Sequence, residues 1–167
     1  PIWIVNLPAN KLKYLVKGLI EGDGTIDKYS LIYATVSEQL AYSLRLILNK
    51  IGILCNISNK GKLKDSYIDG RKIISQHDIF TIQVSGDSAR KLANFCNFKY
   101  DGGKKTSGNF GYVSDDYILI PILGVEKLKY RGEVYNLSVE EDESYCTFTG
   151  IAHNCISKHL LLANGLY

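Results

Sequence analysis

Along the first hundred residues the spacing of apolar side chains changes several times, and each change marks an element. Leu12, Leu15, Leu19 and Ile20 recur at helical spacing behind Pro8, which predicts a helix over residues 8–22. Asp23-Gly24 ends it, with Gly24 expected to supply the backbone freedom for the turn into the next strand. Ser30–Val36 reads as a strand, and Gln39–Ile51 as an amphipathic helix closed by Gly52. Residues 53–58, 66–75 and 78–85 alternate apolar with polar or are rich in Ile, Tyr and Thr, which argues for antiparallel strands; Ser88–Phe95 reads as a further helix.

The pattern changes after that helix. Asp101-Gly102-Gly103, Ser107-Gly108 and Gly111 punctuate residues 99–113 as a flexible linker. Tyr117–Leu123, Gly132–Val139 and Ser144–Ala152 are short β-rich segments between turn residues, and a short helix is expected around His159–Asn164. The reading is α+β: a mixed repeat over 1–105, a linker over 106–113, an all-β piece over 114–154 and a tail over 155–167.

At 167 residues, with 46% hydrophobic and 22% charged, the chain can build one good core or two small ones. No apolar run approaches roughly 18 residues and no basic-apolar leader opens the sequence, so no membrane partner and an intracellular location are expected. The cysteines at 55, 96, 146 and 155 show no zinc-like spacing and are expected to be reduced. Cys55 and Cys96 lie in apolar stretches and read as core; packing is also the first expectation for Cys146, with a place at the reactive site as its alternative. Charge divides unevenly: residues 1–105 carry 16 Lys and Arg against 9 Asp and Glu, residues 106–167 only 4 against 8. The basic part therefore suits a phosphate-bearing partner.

His153-Asn154-Cys155 carries the most specific chemistry. An asparagine side-chain amide can attack its own carbonyl, cut the chain after itself and leave the following cysteine with a free amine, so the reactive bond would be Asn154–Cys155. At the other end, Gly18 and Gly22 lie four apart on the first helix, where a second helix could approach to backbone contact.

Two groups of residues carry family resemblances. Glu133-Val-Tyr-Asn-Leu-Ser-Val-Glu-Glu-Asp142, then Ser144-Tyr145, then Gly150-Ile-Ala-His-Asn-Cys155 resemble the C-terminal motifs of inteins; Leu15-Val-Lys-Gly-Leu-Ile-Glu-Gly-Asp-Gly24 resembles the LAGLIDADG motif of homing endonucleases, and many inteins carry such a nuclease. The predicted α-β-β-α-β-β-α order over 1–105 is similar to one LAGLIDADG repeat.

The intein resemblance implies that Cys155 accepts the upstream flank, Asn154 cyclises, His153 assists, and residues 155–167 begin the flanking host protein, with no cofactor. Asn136 stands where many inteins have Asp, and Glu143 where many have His, so Asn136 would only hydrogen-bond and Glu143 would move protons only with a raised pKa. A first Cys or Ser and a Thr-x-x-His motif are missing from the expected places. The chain alone is therefore expected not to splice, and Pro1 looks like a boundary inside a larger intein, whose N-terminal fragment would be the partner.

The nuclease resemblance implies a Mg²⁺ ion held by Asp23 with the backbone at Gly22, Glu21 being structural, and a second motif supplied by a missing upstream half or another copy. It also implies double-stranded DNA lying on a curved sheet, with Lys60, Lys62, Lys64, Arg71, Lys72 and Gln83 as contacts and Lys99, Lys104 and Lys105 as basic residues near cleavage. A free single-motif endonuclease acting as a homodimer is the alternative, and a non-enzymatic DNA-binding module a third reading; residues 114–155 favour the intein.

Overall fold

In strands that are dry on one side only, every second residue must be apolar, and the computed structural model of the chain shows how that rule sets its core. It describes residues 2–62, 66–102, 111–115, 117–135, 137–141, 143–147 and 150–153. Two units divide it, residues 1–121 and 122–167.

The first unit holds helices α1 (Ala9–Asp23), α2 (Glu38–Lys50) and α3 (Gly86–Cys96). Its strands are β1 (Gly24–Ile26), β2 (Ser30–Thr35), β3 (Asn56–Asn59), β4 (Ser66–Ile68), β5 (Arg71–Ile73), β6 (Phe80–Ser85), β7 (Tyr112–Val113) and β8 (Ile118–Leu119). The main sheet runs β1-β2-β6-β3, antiparallel throughout, while β4–β5 and β7–β8 form separate hairpins. The expected α-β-β-α-β-β-α order is thus present, with β4–β5 inserted between its last two strands.

Leu31 and Tyr33 of β2 and Phe80, Ile82 and Val84 of β6 are buried, and their alternates are not packed into the core. Against them pack Leu12, Val16 and Ile20 of α1, Leu44, Ile47 and Leu48 of α2, and Ala89, Leu92 and Cys96 of α3. All three helices therefore cover one face of the sheet, and Cys55 and Cys96 lie in the core as expected. Val16, not named by the sequence pattern, completes the buried stripe of α1, while Leu15 and Leu19 pack half-buried at its edge. The Ser37 hydroxyl accepts from the Leu40 N–H at 3.2 Å and caps α2, whose other end closes at Gly52 with φ +71°.

Three expectations change. The 66–75 strand is a hairpin: Asp69 and Gly70, with φ of 50° and 77°, make the two-residue turn that Asp-Gly favours. Residues 53–55 precede the β3 ladder, although Ile53 and Cys55 are buried. Gly24 is extended, at φ −87° and ψ 163°, so it supplies no left-handed turn. Crowding is what requires glycine there, since a Cβ would lie 2.5 Å from the Ile20 carbonyl oxygen and 2.7 Å from its Cα.

In the second unit β9 (Ser144–Cys146) pairs antiparallel with β10 (Ile151–His153). Thr147 and Gly150 close the hairpin, with Thr147 N–H donating to the Gly150 carbonyl at 2.8 Å. The strand expected over 132–139 is not formed among the described residues. A strand forms only where a neighbouring strand takes up its N–H and C=O groups in a ladder, and among the described residues no ladder includes these positions. The tail 155–167 and its expected helix lie outside the described residues.

Candidate functional site

The sheet face away from the helices is open. Across its centre the register aligns Thr25, Ile32, Gln83 and Asn56, and beside that row Ala34, Thr81 and Ser58. Apart from Ile32 the side chains there are small or polar and leave a surface on which a ligand of extended shape can lie flat. Gln83 is exposed between the buried Ile82 and Val84, as alternation predicted. Its Nε2 donates to Ser30 Oγ at 3.2 Å. Ser30 is only 1% exposed, and its hydroxyl lies 3.3 Å from each carboxylate oxygen of Asp27. Asp27 also accepts the backbone N–H groups of Tyr29 and Ser30, both at 2.6 Å, and these hold its carboxyl below the usual carboxylate range. Neither Asp27 nor Ser30 was singled out from the sequence; the signal available was Asp-x-x-Ser between two strands.

Beyond Asn59 the β3–β6 ladder continues through Lys60 N–H to Ile79 O (2.8 Å) and Ile79 N–H to Gly61 O (3.1 Å). Lys60 and Lys62 are exposed near this end, and Arg71 and Lys72 are exposed on β5 of the inserted hairpin. Lys99 is exposed after α3. Lys64, Lys104 and Lys105 lie outside the described residues.

On α1, Gly18 and Gly22 face open space: a Cβ at either would meet nothing within 4 Å. Tyr14, on the turn before Gly18, is 71% exposed. Asp23 is exposed at the C-terminal end of the helix, and Glu21 is ion-paired to Lys17. Tyr33, opposite Gly24 in the β1–β2 ladder, has its hydroxyl pKa raised by burial and then by the Asp23 carboxylate. Among the described residues no group of three or more His, Cys, Asp or Glu could hold a metal ion. A hard divalent cation needs several oxygen donors. Asp23 and the Gly22 carbonyl by themselves offer fewer oxygen donors than such a cation takes.

In the second unit the register sets His153 opposite Ser144, one residue from Glu143, which is exposed with φ +50°. Asn136, Asn154 and Cys155 lie outside the described residues. Cys146 is exposed, not packed as expected, because it sits on a two-stranded ribbon too thin to bury it. The residues leading to this hairpin include apolar side chains that are uncovered, Leu123 at 96% and Val125 at 85% exposure being the most exposed of a set that also holds Ile122, Leu128, Tyr130 and Tyr135. No helix among the described residues is long and apolar enough to cross a membrane.

Three helices on one face of an antiparallel sheet, an open opposite face and a glycine-bearing helix ending in a carboxylate define an α+β module of the homing-endonuclease class. Residues 10–95 match the LAGLIDADG-like domain, and the chain belongs to that family. Such domains typically pair with a second motif and bind DNA. The chain is similar to the ATP-dependent DNA helicase Hel308 of Thermococcus kodakarensis, 31% identical over 92% of this chain and 14% of that protein. It is similar also to an uncharacterised Methanocaldococcus jannaschii protein, 32% identical over 90% of this chain and 18% of that one. A DNA polymerase of Thermococcus hydrothermalis is 27% identical over 92% of this chain and 11% of its own length. The chain thus spans less than a fifth of each of these relatives.

Proposed function

We propose that the chain is the C-terminal portion of an intein with half of a LAGLIDADG homing endonuclease embedded in it. The observation that carries this reading is the distribution of the matches. A helicase, a DNA polymerase and an iron-sulfur cluster assembly SufBD family protein of Mycobacterium bovis share no task, yet each aligns with 86% or more of this chain over only 11–15% of itself. A segment that recurs in unrelated hosts while occupying a small share of each behaves as an insert with its own chemistry.

The uncovered apolar residues between Ile122 and Leu137 support the same reading. Exposed patches of this size mark an interaction surface, and the partner is an N-terminal splicing part. In the joined domain Cys155 takes the upstream flank as a thioester and Asn154 cyclises with cleavage of its own peptide bond. His153, held at the end of the β9–β10 ribbon near Glu143, supplies the proton for the departing amine. Asn136 contributes a hydrogen bond.

For the nuclease half, the open face and the basic residues Lys60, Lys62, Arg71 and Lys72 hold double-stranded DNA, with Lys64, Lys104 and Lys105 as further phosphate contacts. The Gly18–Gly22 face of α1 receives the second motif helix, which brings a second carboxylate to Asp23. Mg²⁺ bound there would polarise the phosphodiester. The same open glycine face also suits a homodimer of free-standing nucleases.

Intact mass after mixing the chain with N-terminal intein fragments, beside an Asn154→Ala control, tests the proposal. Release after Asn154 with a ligated product, absent from the control, is expected. Persistence of the intact mass with every fragment, together with DNA cleavage by a dimer of the chain, would overturn splicing in favour of the free nuclease.

A further inference from the structure

We propose that Asp27 and Ser30 are positioning residues that fix the side-chain amide of Gln83 in one orientation, so that Gln83 reads an adenine in a duplex laid on the open sheet face. This deepens the DNA-binding reading and rests on it.

The argument follows the protons. Asp27 accepts two backbone N–H groups at 2.6 Å and is ionised at neutral pH, so it can only accept. Ser30 has a single hydroxyl proton, and both Asp27 oxygens stand 3.3 Å away to take it. The hydroxyl oxygen is then an acceptor only towards Gln83, whose Nε2 donates to it at 3.2 Å. Turning the amide over would set Gln83 Oε1 against the lone pairs of Ser30, two acceptors in contact. Water does not relieve that clash, because Ser30 is 1% exposed. Gln83 therefore presents Oε1 and its remaining N–H to whatever lies on the sheet, beside Ile32 and Asn56. Adenine is the base whose major-groove edge offers N7 as acceptor and the N6 amine as donor for such a pair.

The test is selection of duplexes from a randomised pool by the whole chain and by its Ser30→Ala, Asp27→Asn and Gln83→Ala variants. Nitrogen-15 NMR of the Gln83 side-chain amide is recorded on the first three proteins without DNA. The carboxamide introduced by Asp27→Asn could donate to Ser30 and free its proton, and Asp27 is exposed, so that variant leaves the core untouched. The expected result is an adenine preference of about tenfold at one position, the lower part of the range for a bidentate contact, lost in Gln83→Ala and reduced to about twofold in the other two variants. The slope of binding against salt should be unchanged, since no phosphate contact is removed. The two Gln83 amide proton shifts should be well dispersed in the parent chain and collapse in Ser30→Ala and Asp27→Asn. An adenine preference equal in all four proteins, or amide shifts equal in the three recorded, overturns the inference. Failure of every protein to retain any duplex sinks the DNA reading itself and base reading with it, while the NMR still decides whether the amide is held.

Discussion

Two glycines, one within the motif helix and one just past its end, should respond to the same substitution with opposite signs. Gly18 lies within α1, and a Cβ there meets nothing within 4 Å. Gly18→Ala therefore adds helix propensity at no steric cost, and the chain should gain about 0.5–1 kcal/mol, a rise in Tm of roughly 1–4 °C for this size. Gly24 has ordinary extended dihedrals, so alanine costs nothing in φ and ψ. Its Cβ would nevertheless sit 2.5, 2.7 and 3.0 Å from the O, Cα and C atoms of Ile20, all of them backbone in the last turn of α1. No flexible side chain can yield there, and relief requires moving the β1 entry. Gly24→Ala should cost about 1–3 kcal/mol, the scale of an overpacked core site, and weaken the bond from Gly24 N–H to the Ile20 carbonyl. Urea unfolding followed by far-UV circular dichroism measures both, with the m-value required to stay constant. Sedimentation equilibrium adds the functional half: if Gly18 is where a second motif helix makes backbone contact, the added methyl holds the helices apart and association weakens although the chain itself is stronger. A loss of stability in Gly18→Ala, or none in Gly24→Ala, would refute the steric reasoning.

Burial pushes the thiols of Cys55 and Cys96 up to about 12 and about 11, from the usual value near 9. At pH 8 iodoacetamide should accordingly modify the exposed Cys146 and spare both until the chain is unfolded, as peptide mass spectrometry would record; since the folded values are raised, these thiols favour the folded state below pH 9 and withdraw that support as pH climbs towards 11–12. Asp27 has the opposite sign: its folded pKa lies below 3.8, so its contribution is complete above that value and fades as pH falls through the lower one. Urea midpoints measured from pH 6 down to pH 2 should decline less steeply for Asp27→Asn than for the parent chain, and parallel curves would contradict the turn's electrostatics. Ser37→Ala removes the cap of α2 and should cost about 1 kcal/mol by the same titration. Leu92→Ala, at a fully buried position between α3 and the sheet, should cost about 2–5 kcal/mol and lower the midpoint most of all.

What could be read from the sequence is what local burial dictates. The three helices and the strands over residues 30–36 and 78–85 were visible because one sheet face and one stripe of each helix are dry, which writes periods of 2 and 3.6 into the chain. Cys55 and Cys96 followed from the same rule. The β4–β5 hairpin was legible and passed over, for Asp69-Gly70 is a strong turn signal inside an otherwise strand-like run. Gly24 shows the limit of reading a residue type alone: glycine after a helix suggests a left-handed cap, but only coordinates reveal that the missing Cβ matters through Ile20. The tie between Ser30 and Gln83 spans 53 positions and joins two polar residues that no periodicity links, so the orientation of a candidate base reader was beyond sequence reasoning. The C-terminal unit inverts this balance. The chemistry proposed for it is written in three adjacent residues, His153, Asn154 and Cys155, because cyclisation and thiol attack act on neighbouring bonds. Its shape is not, because apolar alternation such as that of Val134, Tyr135 and Leu137 becomes a strand only when another strand satisfies its backbone and another layer covers its side chains. Under the splicing proposal an insert whose reactive bond joins it to its flank would carry its chemistry in a few adjacent residues while borrowing half of its core, and the bare apolar segment between Ile122 and Leu137 is the surface that proposal has its partner cover.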